Sequence, residues 1–384
     1  MIEISVVIPC LNEEETLEDC IQRAQTGIAE SGVEGEVVVA DNGSTDGSVA
    51  LAEKLGARVV HVTERGYGSA LMGGIASAHG GFVVMGDADG SYDFLEIPKF
   101  WAKHREGFEL VQGCRLPTGG GTVAPDAMPW LHRHIGNPML TLLARTMFKA
   151  PIHDVYCGLR GFTSDLYQRL DQRCTGMEFA VEMIVKSSLQ GARIAEVPIT
   201  LHPDRRTTHG PHLRTFRDGW RTLRYFLLFS PRWLFLIPGI GLILLGLLGF
   251  ALALPGTVVL GKTLGAHTLL FASLAMLCGY QAVLFAIFAR TYATTEKLTP
   301  PSPALESFFE IATLERGLVL GASGLIVGAW MLWVAFGQWR AVDFGELNYA
   351  QTMRWVIPGV TLVSISFQTA ISSFFVSLLG MRRK

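Results

Sequence analysis

Cysteine is scarce and scattered: six residues, Cys10, Cys20, Cys114, Cys157, Cys174 and Cys278, with no Cys-x-x-Cys pair and no neighbouring Cys/His set. Disulfide and zinc frameworks are excluded on that ground. A basic excess is also missing, since 32 lysines and arginines face 34 acidic residues for a net charge of -2. Nucleic-acid binders need cations to displace counterions from phosphates, so no nucleic-acid partner is expected. Met1 leads straight into an apolar run at residues 4–8, without the basic stretch and apolar core of a secretory signal. The N-terminal part is therefore expected to stay in the cytoplasm. Long parts of the C-terminal portion lack charge almost entirely, and that shortage is the most informative one.

Up to about residue 232, charge mixes with short apolar runs; beyond it come four long apolar stretches, approximately 233–254, 269–289, 318–337 and 356–380. Each approaches or exceeds the ~20 residues a helix needs to cross a bilayer core. As buried helices of a soluble protein, four such segments would need an exceptional core. Arg214, Arg217, Arg221, Arg224 and Arg232 precede the first stretch, Arg290, Lys297 and Arg316 lie between the second and third, and Arg382, Arg383 and Lys384 follow the fourth. The other loops hold only Lys262 and His267, then Arg340 and Arg354. The positive-inside rule then places both termini in the cytoplasm. Leu213, Phe216, Trp220, Leu223 and Leu227 recur at helical spacing beside the arginine stripe. Such a helix can lie on membrane lipids or pack on the sheet. The expected organisation is an α/β domain at 1–210, amphipathic interfacial helices at 211–232 and four transmembrane helices at 233–384.

In the N-terminal part the apolar run 4–8 passes through an acidic turn into a helical pattern at Leu17, Ile21 and Ala24. The unit recurs with strands at 37–40, 58–62 and 82–85 and helices through Leu55 and over 69–79. Alternation of this kind predicts a mainly parallel sheet covered on both faces. Ligands gather at the carboxyl ends of such strands. Those ends are acidic here: Asn12-Glu13, Asp41 and Asp87-Ala88-Asp89.

Asp87 and Asp89, one residue apart after a strand, can present oxygens to Mg2+ or Mn2+ and to a sugar nucleotide. Such a cation would steady the charge on a departing diphosphate. Asp41 opens Asp-Asn-Gly-Ser-Thr-Asp-Gly, a turn in which Asp46 can cap the next helix while Asp41 accepts hydrogen bonds from a nucleobase. Pro9, Leu11 and Glu13 can form the opposite wall of that pocket. Glu178 and Glu182, one turn apart, read as a solvated helix face rather than an acid/base pair.

Val-Val-Ile-Pro-Cys-Leu-Asn-Glu, Asp-Asn-Gly-Ser-Thr-Asp-Gly and Gly-Asp-Ala-Asp-Gly, in that order, resemble glycosyltransferase family 2. More narrowly, residues 1–232 are similar to the dolichyl-phosphate mannose synthase and bacterial polyprenyl-phosphate glycosyltransferase branch. The resemblance implies an α/β GT-A (Rossmann-like) domain, an inverting transfer, a donor of the UDP-glucose or GDP-mannose kind and a polyprenyl phosphate acceptor, in a bacterial or archaeal-type plasma membrane with the catalytic domain inside. It gives Pro9, Leu11, Glu13 and Asp41 to the base, and Asp87, Ala88 and Asp89 to nucleotide and metal. Ser91 stands where the mannose synthase pattern has a metal-assisting Gln. Arg115, in a Gly-x-Arg loop before Gly119-Gly120-Gly121, is implied to meet donor or acceptor phosphate, the alternative being a surface ion pair. Arg133 matches a basic position facing the lipid phosphate. The stretch 203–212 resembles a late basic loop that closes over the diphosphate, with Arg206 the first choice and Arg205 and His212 after it; lipid-surface contact is its alternative. His153-Asp154 and Cys157 to Phe162 resemble the acceptor-side edge of the sheet.

A lipid phosphate is already an anion, so its attack on the sugar needs no dedicated base, whereas a sugar hydroxyl acceptor normally does. The chain has no Gln-x-x-Arg-Trp motif of processive family members, only Arg232-Trp233. Transfer to a glycan or glycolipid hydroxyl is thus the second expectation. A catalytically dead transport protein is the third, set back by spans nearly free of ionisable residues. Expected partners are the nucleotide sugar, polyprenyl phosphate and membrane lipids, with homo-oligomerisation left open.

Overall fold

The computed structural model describes residues 2–207, 215–296, 299 and 303–380. His212, Leu213, Arg214, Lys297, Arg382, Arg383 and Lys384, which carried part of the basic-loop and orientation expectations, lie outside the described residues. Two compact units divide the chain, Met1–Phe226 and Leu227–Lys384.

In the first unit β1 (Ile4–Cys10), α1 (Leu17–Glu30), β2 (Gly35–Asp41), α2 (Ser48–Lys54), β3 (Arg58–His61), α3 (Tyr67–Ser77) and β4 (Phe82–Met85) alternate as expected. There follow α4 (Ile97–Arg105), β5 (Leu110–Cys114), β6 (Thr122–Val123), α5 (Asn137–Phe148), β7 (Arg160–Thr163), α6 (Ser164–Leu170), α7 (Phe179–Leu189), β8 (Ile194–Pro198) and β9 (Thr200–Leu201). The main sheet has the order β3-β2-β1-β4-β7-β5-β8. Every pairing in it is parallel except the two made by β7. Alternation along β1 splits its side chains: Ile4, Val6 and Ile8 join the core built with Leu17, Ile21 and Ala24 of α1 and Ile97 and Phe100 of α4. The opposite face meets α3, where a Cβ on Gly74 would stand 2.6 Å from Val7. Each Leu or Ile so buried contributes about 1.5–3 kcal/mol.

Two expectations are corrected. The segment Cys157 to Phe162 does not form a sheet edge, because β7 lies inside the sheet between β4 and β5. Gly161 permits this, since the ring of Phe82 fills the space of its missing side chain, 2.4 Å from where a Cβ would be. Glu182 is not on a solvated face: it is 2% exposed, pairs with Lys186 at 2.7 Å and accepts the amides of Arg173 and Cys174. The α7 sequence is apolar nearly all round, so the helix sinks into the unit and its carboxylate must be neutralised there. Glu178 faces Arg221 at 3.6 Å.

The helix α8 (Thr215–Phe229) carries Asp218, Thr222, Tyr225 and Phe226 on a buried side, and Phe216 and Trp220 exposed. One side of the helix packs on its unit, and the other remains uncovered.

In the second unit a π-helical turn leads into α9 (Ile237–Ala253), followed by α10 (Ala266–Thr295), α11 (Pro303–Ile311), α12 (Leu314–Ala341) and α13 (Tyr349–Gly380). Four helices, Arg232–Ala253, Ala266–Thr295, Leu314–Ala341 and Tyr349–Leu379, have the length and apolar character to cross a membrane. At most 33% of the residues in the most apolar part of each are buried, so most of their apolar side chains face outward. Without a hydrophobic force between helices in lipid, close packing of small residues holds them. Gly321, Gly324 and Gly328 of α12 lie against Ala370, Ser366 and Gly359 of α13, and Gly239 of α9 meets Gly279 of α10. Ser273–Thr361 and Tyr280–Thr369 hydrogen bonds join α10 to α13.

Candidate active site

Parallel register brings three acidic strand ends to one rim. Cys10 of β1 stands beside Asp41 of β2, and Val7 beside Met85 of β4, two residues before Asp87. Pro9 and Leu11 occupy the middle of this rim. Asp41 accepts the amides of Ser44 at 2.9 Å and Gly43 at 3.3 Å and faces His61 at 3.1 Å. Burial raises its pKa, but these bonds outweigh it and hold the carboxyl below its ordinary range. The turn role of this motif is therefore realised, and Asp46 accepts the Ser48 amide at the start of α2. Asn42 ties the same loop to α3 through Val62, Glu64 and Gly66.

At the end of β4, Asp87 accepts the hydroxyl of Tyr67 at 2.8 Å. Asp89 accepts both the amide and the hydroxyl of Ser91, at 2.9 and 2.6 Å. Ser91, in the place of the expected Gln, thus fixes one oxygen of Asp89. The other lies 3.5 Å from Arg206, which also pairs with Glu13 at 3.0 Å and with Asp204. Burial lowers the Arg206 pKa, and Asp204, Glu13 and Asp89 raise it further than that. The late loop reaches the rim because residues 201–206 run beside 89–92, with the Arg205 amide on the Asp89 carbonyl. Arg205 itself turns away to Asp19.

Burial first, and the Asp89 charge second, push Asp87 up to about 7. Two like charges crowded in this way suit a hard divalent cation with oxygen ligands, which would relieve their repulsion. No group of three or more His, Cys, Asp and Glu able to hold a metal occurs among the described residues. The ligands beyond Asp87 and Asp89 would therefore come from phosphate and water.

Arg115 is neither a surface ion pair nor an open phosphate clamp. It is buried in a two-pronged pair with Asp154, at 2.7 and 2.9 Å, and its remaining nitrogen donates to Tyr92 at 3.3 Å. Tyr92 also accepts the Gly158 amide at 2.8 Å. A Cβ on Gly158 would sit 2.8 Å from Asp87, so this network supports the carboxylate from below. Arg133 lies in the π-helical turn His132–Gly136, and among the described residues its side chain bonds to none of this cluster. Its neighbour His132 is the nearer one: burial and then the Arg115 charge lower its pKa. The side chain of Ala88 is 3% exposed, which leaves it a backbone role at the rim. Tyr67 and Tyr92 went unnoticed in the sequence, since tyrosines carry no charge pattern to flag them; Asp154 and Gly158 were noted only within the acceptor-side segments, not as neighbours of Arg115 and Asp87.

A model of the glycosyl transferase family 2 domain matches residues 5–170, and one of the glycosyltransferase family 2 C-terminal transmembrane region matches residues 287–380. The low-salt glycan biosynthesis hexosyltransferase Agl6 of Haloferax volcanii is 37% identical over 379 residues, 98% of this chain and 89% of that protein. A dolichyl-phosphate hexose transferase of the same organism is 31% identical over 201 residues, 51% of this chain and 82% of that protein. Among solved structures, glucosyl-3-phosphoglycerate synthase of Mycobacterium tuberculosis, in complex with Mn2+, uridine diphosphate and glucosyl-3-phosphoglycerate, aligns with a TM-score of 0.43 and 23% identity, over 59% of this chain and 78% of that one. With a relative matched along nearly its whole length, and with acidic strand ends gathered on a GT-A sheet ahead of four membrane-length helices, this chain belongs to glycosyltransferase family 2.

Proposed function

We propose that this membrane glycosyltransferase moves a hexose, with inversion, from a nucleotide diphosphate sugar of the UDP-glucose or GDP-mannose kind onto a polyprenyl phosphate. The observation that carries this is the meeting of Asp87, Asp89, Glu13 and Arg206 on one sheet rim in a chain that also has four membrane-length helices. Similarity to a hexosyltransferase and to a dolichyl-phosphate hexose transferase supports the sugar and acceptor classes. Asp41, Pro9, Leu11 and Glu13 take the base, and the Ala88 backbone passes beside the nucleotide. Mg2+ or Mn2+ held by Asp87 and Asp89 would supply Lewis acidity to the diphosphate. Arg206, partnered among the described residues by the carboxylates of Glu13, Asp89 and Asp204, offers its charge to the diphosphate, and Arg133 offers its charge to the acceptor phosphate. Arg115 keeps Asp87 in place through Tyr92 and Gly158.

The lipid phosphate oxygen attacks the anomeric carbon from the side opposite the diphosphate; the new C–O bond forms as the old one breaks. No proton needs to leave this nucleophile, so positioning and charge neutralisation suffice. Basic residues before the first span, between the second and third, and after the fourth support a cytoplasmic site and cytoplasmic termini.

The test is a purified full-length chain given a donor panel with polyprenyl phosphate and sugar hydroxyl acceptors side by side. Lipid-linked sugar is the expected product, and Asp89→Asn is expected to abolish it while the protein stays in the membrane. Glycosylated hydroxyl acceptors alone would establish the second expectation, and unchanged turnover in Asp89→Asn would end the metal assignment.

A further inference from the structure

The late loop directs three consecutive residues at the acidic stretch that joins β1 to α1 and opens that helix. Arg205 pairs with Asp19 at 2.8 Å, Arg206 with Glu13 at 3.0 Å, and Thr207 donates its amide and its hydroxyl to Glu15, both at 2.8 Å. At its other end the loop is held to the segment after β4, with the His202 amide on the Ser91 carbonyl and the Arg205 amide on that of Asp89. It is thus a strap from the Asp87–Asp89 segment to the acidic stretch. Arg206 is its inward residue, its side chain 7% exposed against 49% for Arg205.

The Arg206 guanidinium meets Asp204 through Nε at 2.9 Å, Glu13 through Nη1 at 3.0 Å and Asp89 through Nη2 at 3.5 Å. One positive charge therefore answers three carboxylates. Ser91 holds the Asp89 Oδ1 with two hydrogen bonds, and Arg206 faces Oδ2, the oxygen that Asp89 would turn to a divalent cation. A guanidinium and a divalent cation at one carboxylate oxygen repel each other strongly where water screens little, so they are alternatives there. A diphosphate, in turn, takes a guanidinium by two parallel hydrogen bonds. The terminal nitrogens that would make them, Nη1 and Nη2, are the two that face Glu13 and Asp89.

We propose that Arg206 is an exchangeable counterion of the rim, which keeps the cation side of Asp89 until a nucleoside diphosphate draws Nη1 and Nη2 away, and which thereby couples metal binding to nucleotide binding. This rests on the metal and diphosphate assignments proposed above and adds that the chain disfavours the metal alone. Such coupling is reciprocal, so removal of the guanidinium acts on the two ligands with opposite signs. A residue that served only to clamp phosphate would affect the nucleotide and leave the metal alone.

The test measures Mn2+ binding to the purified full-length chain by electron paramagnetic resonance, without nucleotide and with UDP or GDP, and nucleotide binding by calorimetry. Arg206→Met removes the charge and supplies no oxygen ligand. Its affinity for Mn2+ alone is expected to rise about tenfold, and its affinity for the nucleoside diphosphate at saturating Mn2+ to fall about tenfold. Arg206→Lys keeps the charge without the fork, and is expected to bind Mn2+ alone as the unaltered chain does while losing nucleotide affinity. Adding Asp89→Asn to Arg206→Met should cancel the gain in Mn2+ affinity, and Arg205→Gln, on the exposed Asp19 pair, should change that affinity by no more than about twofold. Unchanged or weaker binding of Mn2+ alone in Arg206→Met, with Mn2+ still taken up by the unaltered chain and nucleotide together, overturns the inference and leaves the metal assignment standing. No Mn2+ uptake by the unaltered chain even with nucleotide overturns both.

Discussion

At the scale of single residues, Gly158 and Arg115 matter through what surrounds them. The methyl group of Gly158→Ala would meet Asp87 at 2.8 Å and Tyr92 at 3.0 Å, so the carboxylate must move. A displacement of about 1 Å at a reacting centre costs on the order of a hundredfold in rate. Initial rates are expected to fall by that order while the circular dichroism spectrum stays unchanged; full activity would remove Asp87 from the chemistry. Arg115→Ala acts on stability instead, because it leaves the fully buried Asp154 without its partner. Breaking a buried pair from one side costs about 3–5 kcal/mol, more than replacing both members with apolar groups. The thermal midpoint of the single variant is expected below that of an Arg115→Met, Asp154→Leu double variant. Equal midpoints would show that the pair is not coupled. Asp87, Asp89 and Glu13 were legible because charge at strand ends is conspicuous, and Arg206 only through the family resemblance of its loop. Tyr67, Tyr92 and Gly158 remained hidden, since their role exists only through contacts between residues 20 to 66 positions apart.

Among elements, β1 to β4 and the four spans could be placed within a few residues from periodicity and length. Propensity could not place β7, four residues long and inserted out of order, because its position is set by tertiary packing against Phe82. The burial of α7 follows from its nearly all-round apolar sequence, but the Glu182–Lys186 pair inside it resembles one on a surface until the neighbours are known. The small-residue seam between α12 and α13 yields a prediction. A Cβ on Gly328 would approach Val363 at 2.7 Å and the Gly359 carbonyl at 3.0 Å, whereas one on Gly337 meets nothing within 4 Å. Overpacking costs about 1–3 kcal/mol. Gly328→Leu should therefore lower the thermal midpoint in detergent and Gly337→Leu should not; identical midpoints would dissolve the seam.

For the whole molecule, two solvents explain two compositions, and the loop charges make the orientation testable. In the background of Cys174→Ser and Cys278→Ser, Lys262→Cys lies between the first two spans and Glu310→Cys between the second and third. A membrane-impermeant maleimide added outside intact cells should label position 262 and spare position 310 until the membrane is opened. The opposite pattern would put the catalytic unit outside.

The reversed direction of β7 reaches further than topology. A sheet of like-directed strands lends its rim only residues that leave those strands, but an inverted member lends those that arrive, and Asp154, Gly158 and Arg160 enter the rim by that route. Since β7 also wedges β4 apart from β5, a growing chain cannot shape its catalytic rim until this late segment has been threaded between them. A fragment that stops before residue 160 is therefore expected to lack a finished rim.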